Sequence, residues 1–329
     1  MTILVCGGAG YIGSHAVAEL IGRGEEVVVV DNLQTGHAAA LTEGTKFYEG
    51  DLRNESFLDL VFTENEIDAV MHFAADSLVG VSVKEPLQYY DNNVGGAISL
   101  LKAMQKHDVK NIVFSSTAAT YGEPKESPIA ETAETSPTNP YGETKLAIEK
   151  MLKWSEQAYG INYVVLRYFN VAGAHPNGVI GEDHNPETHL IPIILEAALG
   201  KRDQISIFGN DYDTPDGTCI RDYIHVIDLV EAHILAIEKL RKSGTSATYN
   251  LGNGNGYSVN EVLAAAREVT GKEIPAVIAP RRGGDPARLV ASSEKAKQEL
   301  GWKPQYESLE SMIDSAWAWF QKHPNGYKQ

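Results

Sequence analysis

The chain has 329 residues, 43% of them apolar and 22% charged, with a formal net charge of −16. That length predicts two domains that need no covalent staples, and the acidic balance argues against nucleic acid or an anionic membrane as a partner. Two cysteines, Cys6 and Cys219, cannot build a disulfide framework; with no apolar run of ~18–20 residues and no basic leader, a cytoplasmic protein is expected.

Thr2–Cys6 is apolar and runs into glycines and a helical pattern that continues to Arg23. Glu26–Asp31 contains four consecutive valines, and Lys46–Gly50, Asp68–Phe73, Asn111–Ser115 and Asn162–Tyr168 read as further strands. Helical stretches near Glu55–Glu64, Leu87–His107 and Pro140–Ala158 separate them. Continuously apolar strands alternating with helices predict an α/β protein with a doubly wound parallel-sheet Rossmann domain over residues 1–170. From 171 to 329 the rhythm changes. Helix patterns at Ile191–Leu199, Val226–Leu240, Ser258–Thr270 and Leu309–Phe320 are divided by short strands and Gly/Pro-rich loops. A smaller mixed α/β substrate domain is expected there, with about 218–250 packing back on the first domain.

The turn after the first strand reads Gly7-x-x-Gly10-x-x-Gly13 and opens a helix. The first glycine permits the tight turn, the second lets backbone approach a pyrophosphate, and the third allows close helix–sheet packing. Asp31 ends the second strand, where a carboxylate suits ribose hydroxyls and repels a 2′-phosphate, so NAD is favoured over NADP. Tyr141 and Lys145 lie one helical turn apart, after an Asn139-Pro140 start signal. An ammonium at that spacing favours phenolate, nicotinamide bound as NAD⁺ adds positive charge nearby, and the tyrosine should come into range as a general base. Tyr121 and Lys125 repeat the spacing, but Gly122 and Pro124 mark a loop. Phe114-Ser115-Ser116-Thr117 ends a strand, where a hydroxyl can share a proton with the tyrosine.

GGAGYIGSH at Gly7, HFAA at His72, YYDNNV at Tyr89, FSSTAATYG at Phe114 and YGETK at Tyr141 together make a specific pattern. LRYFNVAGAHP at Leu166, IFGNDY at Ile207, RDYIHV at Arg221 and APRRGGD at Ala279 extend it over nearly the whole chain. With these segments the chain resembles the extended short-chain dehydrogenase/reductase family, in particular its UDP-sugar 4-epimerases. The resemblance implies reversible C4 epimerisation of UDP-glucose and UDP-galactose through a transient 4-keto sugar. Tyr141 would be the base, Lys145 its activator and ribose anchor, and Thr117 the hydroxyl partner. NAD would be held by Gly7, Gly10, Tyr11, Ile12, Gly13, Asp31, Asn32, Asp51, Leu52, Phe73, Ala74, Asn92, Ser115, Tyr141, Lys145 and Phe169. The UDP-sugar would meet Thr117, Asn170, His189, Leu190, Phe208, Arg221, Arg282, Asp285 and Leu289, the arginines suiting phosphate. A homodimer formed through the long helices of the first domain is also implied.

Some positions depart from the family pattern. Ser77 stands where some relatives carry a phosphate-binding lysine, and His189 where asparagine is common. Leu289 is smaller than the tyrosine that goes with plain hexoses, which opens the N-acetylated UDP-sugars as substrates. Metal binding by His184 and His189 is not expected: their spacing lacks the companion ligands of a zinc helix, and Pro186 argues against a helix. Two rival functions remain, a nucleotide-sugar 4,6-dehydratase and a non-catalytic NAD sensor. Ala118 and Ala119 stand where the dehydratases carry Asp-Glu, and a sensor has no need of Tyr141 and Lys145.

Overall fold

Strands that are apolar on both faces must be covered on both faces. In the computed structural model, which describes residues 1–282 and 285–327, the strands form one seven-stranded sheet. Gly283 and Gly284 of the APRRGGD segment lie outside the described residues. The strands are β1 (Thr2–Cys6), β2 (Glu26–Asp31), β3 (Lys46–Glu49), β4 (Ile67–His72), β5 (Asn111–Thr117), β6 (Asn162–Tyr168) and β7 (Ala247–Leu251). Their order is β7-β6-β5-β4-β1-β2-β3, with every pairing parallel. Chain direction from the centre therefore reverses after β3, so a crevice opens at the carboxyl ends of β1 and β4.

The period of two decides which helices cover which face. Ile3, Val5, Val27, Val29 and Met71 pack with Ala16 and Leu20 of the Tyr11–Gly22 helix and Leu229, Val230 and Ile237 of the Val226–Ser243 helix. Leu4, Cys6, Val28, Val30 and Val70 pack with residues of the Glu55–Glu64, Gly96–Lys106 and Pro140–Tyr159 helices. Each fully buried aliphatic side chain contributes about 1.5–3 kcal/mol.

The Pro140–Tyr159 helix begins where its sequence says it should. The Asn139 side chain accepts the Gly142 amide at 2.9 Å, proline fills the first helical position, and Gly160 closes the other end at φ 67°. The Leu87–His107 stretch departs from a regular helix. Pro86–Tyr89 and Gly96–Lys106 are α-helical, but Tyr90–Gly95 between them is a π-turn. The buried Asn93 explains the distortion: its amide accepts from the Asp76 backbone N–H and donates to the Asp76 carbonyl and the Thr144 hydroxyl. The extra residue in that turn sets Asn92 on the cavity wall.

A second core joins the Leu190–Ala198, Val259–Thr270 and Leu309–Lys322 helices. Small sheets flank it, Ile205–Phe208 with Ala276–Ala279, and Ile220–Arg221 between Tyr257–Ser258 and Arg288–Leu289. Among the described residues no helix is long and apolar enough to cross a membrane.

Candidate active site

A cavity of about 960 Å³ opens at the carboxyl ends of the central strands. Of the residues singled out from sequence, Gly7, Gly10, Tyr11, Ile12, Gly13, Asp31, Asn32, Asp51, Leu52, Phe73, Ala74 and Asn92 line it. So do Thr117, Tyr141, Lys145, Phe169, Asn170, His189, Arg282 and Asp285. Ser115, Leu190, Phe208, Arg221 and Leu289 do not line it. Three of these five stand directly behind the wall: Arg221 donates to Asp285, Leu289 pairs in register with Arg221, and Phe208 lies 4.2 Å under the Arg282 guanidinium. Leu190 starts its own helix, and the Ser115 hydroxyl is 2.7 Å from His233 Nε2.

The glycine turn distinguishes internal packing from ligand space. A Cβ on Gly13 would fall 2.1 Å from the Gly7 carbonyl, and one on Gly7, at φ 79°, would fall 2.6 Å from the Ala74 amide. A Cβ on Gly10 would meet only the Gly7 carbonyl, at 3.4 Å. Nothing in the protein requires glycine at position 10, which lines the cavity, so the space it leaves fits a close-lying pyrophosphate. Asp31 is fixed by the Ala9 amide at 3.0 Å and the Leu33 amide at 2.8 Å, one to each carboxylate oxygen. Burial raises its pKa above the usual carboxylate range, and the two amides oppose that rise. These features suit an NAD ribose diol. Asp51 is engaged by Arg53, which holds its carboxyl below the usual range.

Tyr141 and Lys145 share the cavity wall, the Lys145 Nζ lying 5.9 Å from the Tyr141 ring centroid. The lysine donates to the Ser115 carbonyl at 2.8 Å, and that residue's hydroxyl is tied to His233. Ser115 thus orients the lysine from behind. The protein's own groups do not lower the tyrosine pKa, so the expected drop rests on the charge that NAD⁺ adds. Burial pushes the Tyr141 phenol up to about 12, opposed by a hydrogen bond with Thr117, and pushes Lys145 down to about 7, opposed by Glu149. Desolvation is the largest cause of both shifts. The Thr117 oxygen accepts the Ala119 amide at 3.1 Å, which leaves its own proton available to the tyrosine oxygen.

Below Lys145 lies a buried network. Glu149 accepts from Ser116 at 2.6 Å and from Arg167, and Arg167 donates to the Tyr121 hydroxyl at 2.9 Å. Tyr121, with the decoy spacing, is therefore a structural residue, and Gly122 leaves it in a turn at φ 62°.

Ser77, which stands at the position of the family's lysine, lines the cavity. Lys84 escaped the sequence reading; it also lines the cavity, a cation seven positions further along that could have been sought once that lysine was found missing. Pro186 does lie outside any helix, but the two histidines are not without companions. Glu182 and Glu187 converge on His184 and His189. Burial lowers both imidazole pKa values, yet the carboxylates outweigh it and leave His184 at about 9 and His189 at about 10. His189 Nδ1 is thereby occupied by carboxylates at 3.0 and 2.9 Å and is not free for a uridine.

The sequence profile of the NAD dependent epimerase/dehydratase family matches residues 3–252. A UDP-glucose 4-epimerase of Halalkalibacterium halodurans is 64% identical over 327 residues, 99% of this chain and 98% of that protein. A crystal structure of a UDP-glucose 4-epimerase superposes with a TM-score of 0.98 at 64% identity, covering 100% of both chains. The Bifidobacterium longum UDP-glucose 4-epimerase in complex with NAD+ and UDP superposes with a TM-score of 0.94 at 45% identity, over 99% of this chain and 100% of that one.

Proposed function

The chain belongs to the NAD dependent epimerase/dehydratase family and is an NAD-dependent isomerase of UDP-glucose and UDP-galactose, in which, we propose, Tyr141, Lys145 and Thr117 carry the proton at C4. The observation that supports these roles is the meeting of the three side chains on one wall of a cavity whose glycine turn leaves room for a dinucleotide.

Bound NAD supplies a reversible two-electron acceptor beside the sugar, together with a positive ring that favours phenolate. Tyr141 takes the proton of the C4 hydroxyl as the C4–H bond breaks, leaving a 4-keto sugar. Thr117 donates to the tyrosine oxygen, so the phenolate does not form unsolvated. Lys145, held by the Ser115 carbonyl, is placed to anchor a ribose hydroxyl and to stabilise the same charge. Arg282 stacks on Phe208 and, among the described residues, has no carboxylate partner, so its guanidinium is available to a diphosphate. With the diphosphate fixed, the keto sugar can present its other face, and Tyr141 returns the proton. No net oxidation occurs, so one bound cofactor serves every cycle.

Ala118 and Ala119 carry no proton-moving group, which weighs against water elimination. Interconversion of UDP-galactose and UDP-glucose by purified protein without added NAD tests the assignment. Tyr141→Phe should lower kcat about 10²–10⁴-fold, the range for a positioned acid–base group. Near-normal turnover would dismiss Tyr141 as the base. Leucine at 289 extends the proposal to UDP-GlcNAc and UDP-GalNAc, and equal assays of both sugar pairs decide it. We also place the enzyme in the cytoplasm as a homodimer. Leu87, Ile98 and Trp154 stand exposed on first-domain helices, and a monomer mass by analytical ultracentrifugation would refute the pairing.

A further inference from the structure

We propose that Glu182, His184, Glu187 and His189 form a site for one zinc-like divalent ion at the edge of the dinucleotide cavity. Their donor atoms lie within 4.8 Å of one another. Both histidines present Nδ1 to the same two carboxylates. His184 Nδ1 is 3.2 Å from Glu182 and 3.4 Å from Glu187, and His189 Nδ1 is 3.0 Å from Glu182 and 2.9 Å from Glu187. A tetrahedral zinc with bonds of about 2.0–2.1 Å separates its donors by about 3.3 Å. The four nitrogen–oxygen contacts, which use both oxygens of Glu187, fall within about 0.4 Å of that spacing, and the other donor pairs, within 4.8 Å of one another, would close on the ion as it binds.

Three further observations fit a metal in this cluster. His184 Nδ1 is closed off from solvent and makes no aligned hydrogen bond, although two carboxylate oxygens stand beside it. The Glu182 and Glu187 side chains are only 5% and 4% exposed, and one dication on two neutral imidazoles would balance both carboxylates in place of two imidazolium protons. Glu187 is also preset: its Oε1 accepts the amides of Thr188 and His189, both at 2.7 Å, and its Oε2 faces His184. Two imidazoles select zinc and its transition-metal neighbours over magnesium or calcium.

Four protein donors leave no open coordination position, so the ion would be structural and would hold the 182–189 segment in place. The His184 ring lies edge-on to Tyr11 at 6.3 Å, and Leu190 follows directly as the start of a helix. A metal here would fasten a second-domain loop to the glycine-turn side of the cavity. These are positioning residues, away from the reacting atoms.

The test uses the untagged holoenzyme with its dinucleotide in place, freed of metal with dipicolinate and titrated with zinc chloride. One zinc per chain is expected, with a dissociation constant of about 1 μM or below and no competition from millimolar magnesium. Cobalt(II) at the site should show the intense visible bands of four-coordinate geometry. His184→Gln and Glu187→Gln should each weaken zinc at least 10-fold, while His107→Gln, on the far side of the sheet, should not. Circular dichroism and retained dinucleotide report whether the variants fold. Less than about 0.1 equivalent bound at 100 μM zinc, or only the weak bands of six-coordinate cobalt, would overturn the proposal in the unmodified enzyme alone. Unchanged affinity in both folded variants would overturn it as well.

Discussion

Lys145→Met separates what the lysine does for catalysis from what it costs the fold. The ammonium is 3% exposed, and burial lowers its pKa from 10.5 to about 7. Between those values the unfolded chain binds a proton that the folded chain does not. Stability therefore rises with pH across the window from about 7 to 10.5, and the charged lysine is a burden below it. The linkage relation makes that burden about 5 kcal/mol at pH 6 and about 2 kcal/mol at pH 9, as order-of-magnitude figures. Methionine fills a similar volume without charge, so the variant should gain most at pH 6 and about 2–3 kcal/mol less at pH 9. The Ser115 carbonyl loses its donor at every pH, about 1–3 kcal/mol, which shifts both values together and leaves their difference intact. Urea unfolding of nucleotide-free protein at the two pH values measures the difference without interference from lost cofactor affinity. Epimerisation in the same variant should fall by at least the 10² expected of an acid–base partner. Equal ΔΔG at pH 6 and pH 9 would refute the claim that Lys145 is held under desolvation strain.

Gly13→Ala and Gly10→Ala should fail differently. The first forces Cβ to 2.1 Å from the Gly7 carbonyl and should lower stability by several kcal/mol, while the second should fold with normal thermal unfolding but release NAD on gel filtration. Asp222→Ala removes a buried carboxylate that accepts the Asn253, Gly254 and Ala291 amides at 2.8, 3.0 and 2.9 Å. With each orphaned amide costing about 1–3 kcal/mol, urea unfolding should show a loss of at least about 3 kcal/mol, and Asp222→Asn a smaller one. Leu289→Tyr should depress UDP-GlcNAc turnover more than UDP-glucose turnover, and equal effects on the two would detach residue 289 from the sugar.

What the sequence made legible is local or periodic. Alternation through Ile3, Leu4, Val5 and Cys6 already requires helices on both faces of a parallel sheet, and spacing alone places Gly7, Gly10 and Gly13 around a turn. The helix signal of Asn139 and Pro140 brings Tyr141 and Lys145 to one face. What escaped depends on contacts between distant residues. The π-turn at Tyr90–Gly95 arises because Asn93 takes its partners from Asp76 and Thr144, which no window of sequence contains. The upward shift at Tyr141 comes from burial, opposed by the Thr117 hydrogen bond, and burial of that depth is invisible to spacing. The four-residue cluster was missed for the same reason. A ligand search keyed to helical periodicity discards Glu182, His184, Glu187 and His189 because Pro186 breaks the helix, yet a folded loop can bring four donors together with no period at all. The break in periodicity speaks only against a helical metal motif; a loop site is recognised by the distances between donors and decided by whether the protein binds the ion.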